Sequence, residues 1–107
     1  MSDADREQRY LTMVSQFPDS PLGHFSLGKL CLEQARYPEA AQHLGRCAEL
    51  DPQYAAALLS LGDALAGAGD GHAARDAYAR GRAAALAQNH PSLAEEIDER
   101  VAELDAP

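Results

Sequence analysis

The sequence predicts an all-α protein in which antiparallel helices stack as an α-solenoid. Identical residues recur at a spacing of 34, in the pairs Ser26/Ser60, Leu27/Leu61, Gly28/Gly62, Ala40/Ala74 and Arg46/Arg80. A fixed period of this length is typical of helical repeats that bury their apolar faces only against their neighbours. Hydrophobic residues make up 46% of the chain, and the predominance of Ala and Leu favours helix over strand. The 107 residues are expected to form a single domain, 1–107.

The first predicted helix, over residues 3–17, corresponds to the second half of an incomplete repeat. Ser2 and Asp5 form a capping-box pattern at its start, and Pro18 follows its end. Tyr10 stands 34 residues before Leu44, inside the first complete repeat. We therefore expect an N-terminal half-repeat helix.

Two helix–turn–helix repeats are predicted next, over 21–54 and 55–88. Ser20 and Pro21 form a cap and first-turn proline for the first helix of repeat 1, and Pro38 begins its partner. Asp51 and Pro52 repeat the cap-and-proline pattern and predict the start of the fourth helix there.

The end of the chain is predicted to form a capping helix over 91–105. Asp70 or Gly71 caps the fifth helix, which the segment 89–91 (Asn-His-Pro) ends. Ser92 and Glu95 form a second capping-box pattern. Six helices are therefore expected.

The two repeats share an ordered motif of large, small and turn residues. Repeat 1 supplies His24, Leu27, Gly28, Cys31, Ala40, Leu44, Cys47 and Pro52, and repeat 2 supplies Leu58, Leu61, Gly62, Leu65, Ala74, Tyr78 and Gly81. This order resembles the tetratricopeptide repeat family. The resemblance implies a solenoid whose first helices line a concave groove for a peptide or helix of another protein.

Small residues at fixed repeat positions indicate where paired helices cross. Glycine inside a helix costs roughly 1 kcal/mol relative to alanine, so its recurrence suggests a contact that needs it. We assign repeat packing to these residues and their neighbours: Leu27, Gly28, Ala40, Leu61, Gly62 and Ala74.

The resemblance also implies which residues line the concave groove. Carrying the family's groove positions over by register gives Phe25, Lys29, Leu32, Leu59, Asp63 and Ala66. Helical spacing places the members of each helix on one face. In the alternative, the terminal helices cover the apolar members Phe25, Leu32 and Leu59.

The predicted function is that of an adaptor that binds a peptide or helix of a partner protein. The alternative is a structural subunit that self-associates through the same groove or through oppositely charged ends; a monomer is favoured over a homo-oligomer. An enzyme using Ser26 or Cys31 is disfavoured, because Ser26 lies inside a predicted helix and not at a nucleophile-bearing turn. No cofactor or metal is expected.

The net charge of the chain disfavours nucleic acid as a partner. The net charge is −8, with 17 acidic and 9 basic residues, which disfavours nucleic acid because phosphate binding needs clustered cations. Residues 91–107 hold six acids and one Arg, a net charge of −5, whereas residues 71–90 hold three Arg and one Asp, a net charge of +2. The acidic last helix suits a basic partner, or complementary ends suit self-association, and the alternative is a mixed solvated surface.

The expected location is the cytoplasm, with no membrane partner. No apolar run approaches the roughly 20 residues that span a bilayer, and the first residues lack the pattern of a signal peptide. In that compartment Cys31 and Cys47 are expected to be reduced core residues. Whether they lie close enough to form a disulfide is left open.

Overall fold

The structure is a computed structural model that describes residues 1–107 as six α-helices with no strand, as the sequence predicts. The helices are α1 Asp3–Gln16, α2 Pro21–Glu33, α3 Tyr37–Leu50, α4 Ala55–Gly67, α5 Gly71–Ala87 and α6 Pro91–Asp105.

Three helices begin at the predicted caps. At α1 the Ser2 hydroxyl accepts a hydrogen bond from the Asp5 N–H at 3.1 Å, and the Asp5 carboxylate accepts one from the Ser2 N–H at 3.1 Å. Ser20 accepts from the N–H of residue 22 at the start of α2, and Asp70 accepts from the N–H of residue 73 at the start of α5. Each cap satisfies an N–H group that has no partner within its helix.

One predicted helix start and one predicted cap were wrong. Asp51 does not start α4: its carboxylate accepts from the Gln53 N–H at 3.1 Å and its carbonyl from the Tyr54 N–H at 3.1 Å, which closes a turn before the helix. Ser92 forms no capping box, because α6 already begins at Pro91. The proline ring fixes a helical φ at the first position, so the helix starts before Ser92.

Adjacent helices pack in chain order. The helix α2 pairs with α3 and α4 with α5, while α3 contacts α4 and α5 contacts α6. Contacts also join every second helix, α2 with α4 and α4 with α6. The helix α1 packs against α2 alone. The main apolar cluster draws buried residues from all helices except α1.

The paired helices approach closely at two glycines. A Cβ atom on Gly28 would lie 2.7 Å from the Cδ2 atom of Leu44, and one on Gly62 would lie 2.8 Å from the Cζ atom of Tyr78. Both distances are far inside van der Waals contact. Each glycine therefore makes room for the large side chain of the partner helix, as interior packing density requires. The other residues assigned to repeat packing are also buried: Leu27, Ala40, Leu61 and Ala74.

A third glycine contact joins the two repeats. The ring of Tyr37, the first residue of α3, lies against Gly67, the last residue of α4, where a Cβ atom would overlap it. This contact connects the start of the second helix of repeat 1 to the end of the first helix of repeat 2. The 34-residue register did not indicate it, because the position of Gly67 in repeat 1 is held by Glu33.

A substitution at Gly28 tests the close approach. Gly28→Ala is expected to lower the free energy of unfolding by about 1–3 kcal/mol, because the new methyl group overpacks against Leu44. The measurement is urea denaturation at constant pH. Gly45→Ala is the matched control: Gly45 lies in the interior of α3, and no neighbouring atom lies within 4 Å of the position that a methyl group would take. Alanine should therefore stabilise the protein by up to about 1 kcal/mol there. Equal effects of the two changes would contradict the packing argument.

A buried histidine ties the α1–α2 turn to α2. His24 is 8% exposed, and its Nε2 atom lies 3.1 Å from the carbonyl oxygen of Pro18. Since a carbonyl can only accept, Nε2 carries the proton, and the buried Nδ1 has no hydrogen-bond partner. On α3, burial lowers the pKa of His43, and the nearby His24 lowers it further.

Mild acid is therefore expected to destabilise the fold. The pKa of His43 is lower in the folded state than its ordinary value of 6.5, so the unfolded chain binds more protons as the pH falls below 6.5. The free energy of unfolding should fall between pH 7.5 and 5.5, by up to about 1.4 kcal/mol per pH unit for each proton. Urea denaturation across this range measures it. His43→Gln should flatten the slope, and an unchanged slope would rule out His43 as its source.

Candidate partner-binding groove

The residues of α2 predicted to line the groove share one accessible face. Lys29 is exposed, and Phe25 and Leu32 are half-buried beside it. Both apolar side chains pack against the edge of the main core cluster, while Leu27, Leu30 and Cys31 point inward and are buried. The face therefore offers apolar surface around one cation.

Phe25 also contacts the segment that precedes α4. Its ring stacks on that of Tyr54, with ring centroids 4.9 Å apart and planes 26° from parallel. Burial raises the pKa of the Tyr54 phenol. The sequence reasoning missed Tyr54. The available signal was an aromatic residue at the position where repeat 1 has the capping residue Ser20, 34 residues earlier.

The residues of α4 predicted to line the groove lie closer to α5 and α6. Leu59 is 8% exposed and belongs to an apolar cluster that includes Tyr78 and Ile97. Ala66 is half-buried and packs against the same cluster. Apolar surface is thus more accessible on α2 than on α4.

Asp63 is held by one hydrogen bond and one ion pair. It accepts from the Tyr78 hydroxyl at 2.7 Å and pairs with the Arg100 guanidinium at 3.4 Å. Burial and the bond to Asp63 raise the pKa of Tyr78, so the phenol remains a donor at neutral pH. The pair between Asp63 and Arg100 connects α4 to α6. Within α6, Arg100 also lies 3.6 Å from Glu96.

A depression of about 390 Å³ lies beside this pair. It is lined by Asp63, Ala66, Tyr78, Arg100, Glu103 and Leu104. The two carboxylates and one guanidinium make its wall polar, in contrast to the apolar face of α2. The predicted groove residues therefore form two chemically different parts, one around Lys29 and one around Asp63.

The thiols are protected from reaction. Cys31 and Cys47 are both free and buried. Burial raises the pKa of Cys31 and raises the pKa of Cys47 to about 11. Since the thiolate is the nucleophile and the metal ligand, both residues act at neutral pH as small apolar side chains.

The structure offers no further signal of a metal or membrane site. No group of three or more His, Cys, Asp and Glu side chains is placed to hold a metal ion. None of the six helices combines the length and the apolar character that crossing a membrane requires.

Similarity to a curated protein decides the family. Over 93 residues the chain is 37% identical to the TPR repeat-containing protein PA0015 of Pseudomonas aeruginosa, covering 87% of this chain and 89% of that protein. The chain belongs to the tetratricopeptide repeat family. No protein-family model matches this tetratricopeptide repeat protein.

A solved structure supports the same fold. The solution structure of BPP2914 from Bordetella parapertussis has a TM-score of 0.78 to this tetratricopeptide repeat protein and is 33% identical to it. The match covers 92% of this chain and 85% of that one. Membership of the family supports a role in protein–protein interaction in general terms. Neither relative's name states a ligand.

Removing the Tyr78 hydroxyl tests the contact with Asp63. Tyr78→Phe is expected to lower the free energy of unfolding by about 1 kcal/mol, because a hydrogen bond to a half-buried carboxylate is lost while the ring stays in place. Chemical denaturation measures the change. Tyr54→Phe is the control, because the ring and not the hydroxyl of Tyr54 makes the contact with Phe25. If the two variants lose the same stability, the bond to Asp63 carries no special weight.

Proposed function

We propose that this tetratricopeptide repeat protein is an adaptor that binds a peptide or helix of a partner protein on the concave side. The observation that carries the proposal is the accessible face of α2, where Phe25 and Leu32 stay half-buried beside the exposed Lys29. Of the other apolar side chains of α2, Leu27, Leu30 and Cys31 are buried, and only Pro21 and Leu22, in the first turn, are not. Half-buried apolar side chains beside a charge are typical of surfaces that bind an amphipathic segment.

The proposed ligand contacts α2 first and extends toward α4 and α6. Its apolar residues pack on Phe25 and Leu32, and an acidic residue pairs with Lys29. Toward α6 the ligand meets the polar depression at Asp63 and Ala66. Leu59 contributes little contact area, since it is 8% exposed, and it supports the groove from below.

The proposal includes a monomeric, non-enzymatic state in the cytoplasm. Ser26 lies within α2 and is half-buried, and the two thiols are held protonated by burial, so no side chain of the hairpin core is set up as a nucleophile. Sedimentation over a concentration series tests the monomer. A dimer abolished by Phe25→Ala would show instead that a second copy occupies the groove.

Affinity capture from the lysate of the native host tests the adaptor role. The double variant Phe25→Ala/Lys29→Glu is expected to lose at least tenfold of the captured partner, because it removes the apolar contact and reverses the charge. Quantitative mass spectrometry of the captured proteins measures the loss.

Arg80→Glu is the matched control for this experiment. It makes the same change of charge as Lys29→Glu, at an exposed position of α5, a helix that supplies none of the predicted groove residues. We expect Arg80→Glu to capture the partner as the wild type does. Capture that is equal for all three proteins would contradict the proposed groove, whereas equal loss in both variants would assign binding to overall charge.

A further inference from the structure

The helix α1 takes the position of the second helix of a repeat, as α3 and α5 do. Residues 1–107 contain no first helix that pairs with it. Tyr10, Leu44 and Tyr78 are spaced by 34 residues. In the complete hairpins Leu44 is 0% and Tyr78 2% exposed, whereas Tyr10 is only half-buried and α1 contains no buried residue. A facing helix thus covers the side chain at this repeat position in both complete hairpins, but no helix covers it at Tyr10.

An apolar surface surrounds this open position. Tyr10, Met13 and Phe17 lie three and four residues apart on one side of α1, and Leu22 lies in the first turn of α2. Phe17 is 62% and Leu22 58% exposed. We call these four residues the amino-terminal surface. It continues the packing of α1 on α2, since α1 contacts no other helix.

The complete hairpins show which residues meet a side chain at the position of Tyr10. Leu44 lies on Gly28, and Tyr78 lies on Gly62, and a leucine precedes each glycine. A large side chain at this position therefore needs a small residue on the facing helix, because a Cβ atom with further substituents would overlap the ring.

Charge adds a second requirement. In the second hairpin the Tyr78 hydroxyl donates to Asp63, which follows Gly62 and also pairs with Arg100. At α1 the phenol of Tyr10 takes the position of the Tyr78 phenol, and the guanidinium of Arg6, one helical turn away, lies 3.2 Å from Asp3 and 3.4 Å from Glu33. A carboxylate that follows the small residue would meet both a phenol donor and a cation.

We propose that the amino-terminal surface binds one amphipathic α-helix of a partner protein, in which a leucine, a small residue and an acidic residue follow one another. The small residue lies on Tyr10, and the acidic residue faces the Tyr10 hydroxyl and Arg6. The bound helix extends the stacking interface that α1 already makes with α2. This site is separate from the concave groove and does not depend on it.

A second copy of the chain is the less suitable occupant. Its own Leu-Gly pairs are buried inside α2 and α4. The exposed side of α6 carries carboxylates in place of apolar residues, among them Glu95, Glu99 and Glu103. The occupant is therefore a helix of different sequence.

A peptide of residues 51–70 is the probe, because it contains Leu61, Gly62 and Asp63 in the required order. Fluorescence anisotropy of the labelled peptide measures affinity, and amide shifts in an NMR titration of the protein locate the site. We expect saturable binding with shifts at Tyr10 and Phe17. The peptide variant Gly62→Leu should bind at least tenfold more weakly, because its side chain overlaps Tyr10.

Protein variants assign the site. Phe17→Ser/Leu22→Ser changes only mostly exposed side chains, so it should keep the fold, which circular dichroism checks, and bind the peptide at least tenfold more weakly. The groove variant Phe25→Ala/Lys29→Glu should bind as the wild type does. Loss of binding in the groove variant alone would overturn the proposal.

Two further outcomes would also overturn it. One is the absence of any saturable shift at Tyr10 and Phe17 up to about 1 mM peptide, the weak limit of specific association. The other is a dimer in sedimentation that Phe17→Ser/Leu22→Ser converts to a monomer, since a second copy would then cover the surface.

Discussion

The close approach of α2 to α3 and of α4 to α5 determines the rest of this structure. At Gly28 and Gly62 the partner helix inserts Leu44 and Tyr78 into space that any larger residue would fill. That insertion brings the hairpin helices together and fixes which of their faces turn inward. The faces that remain outside, on α2 in particular, are the surfaces available to another molecule.

The sequence predicted the helices and their stacking well, because both depend on local signals and on the repeat period. Helix starts that rest on a side-chain cap, as at Ser2 and Asp70, were correct. The start of α4 was not, since Asp51 uses its oxygens to close a turn and not to cap the helix. A capping residue and a turn residue look alike in a sequence.

The environment of the candidate site was harder to predict, because it depends on contacts between repeats. Register placed Leu59 and Asp63 on the same helix face, but not the approach of Ile97 to Leu59 or the hydroxyl of Tyr78 on Asp63. The stacking of Tyr54 on Phe25 escaped notice for the same reason. A motif derived from single units does not contain the pairings that join one unit to the next.

The last helix is fastened to α5 by ion pairs, Arg82 with Asp98 at 2.8 Å and Arg75 with Asp105. These two carboxylates point toward α5. Other carboxylates of α6, among them Glu95, Glu99 and Glu103, are exposed. A helical array with an apolar outer face at its end can bind a second array there. Head-to-tail stacking that does not close produces fibres. The exposed carboxylates on the outer side of α6 give that end of the array a charged face, and a charged face disfavours the stacking of a further apolar helix on it.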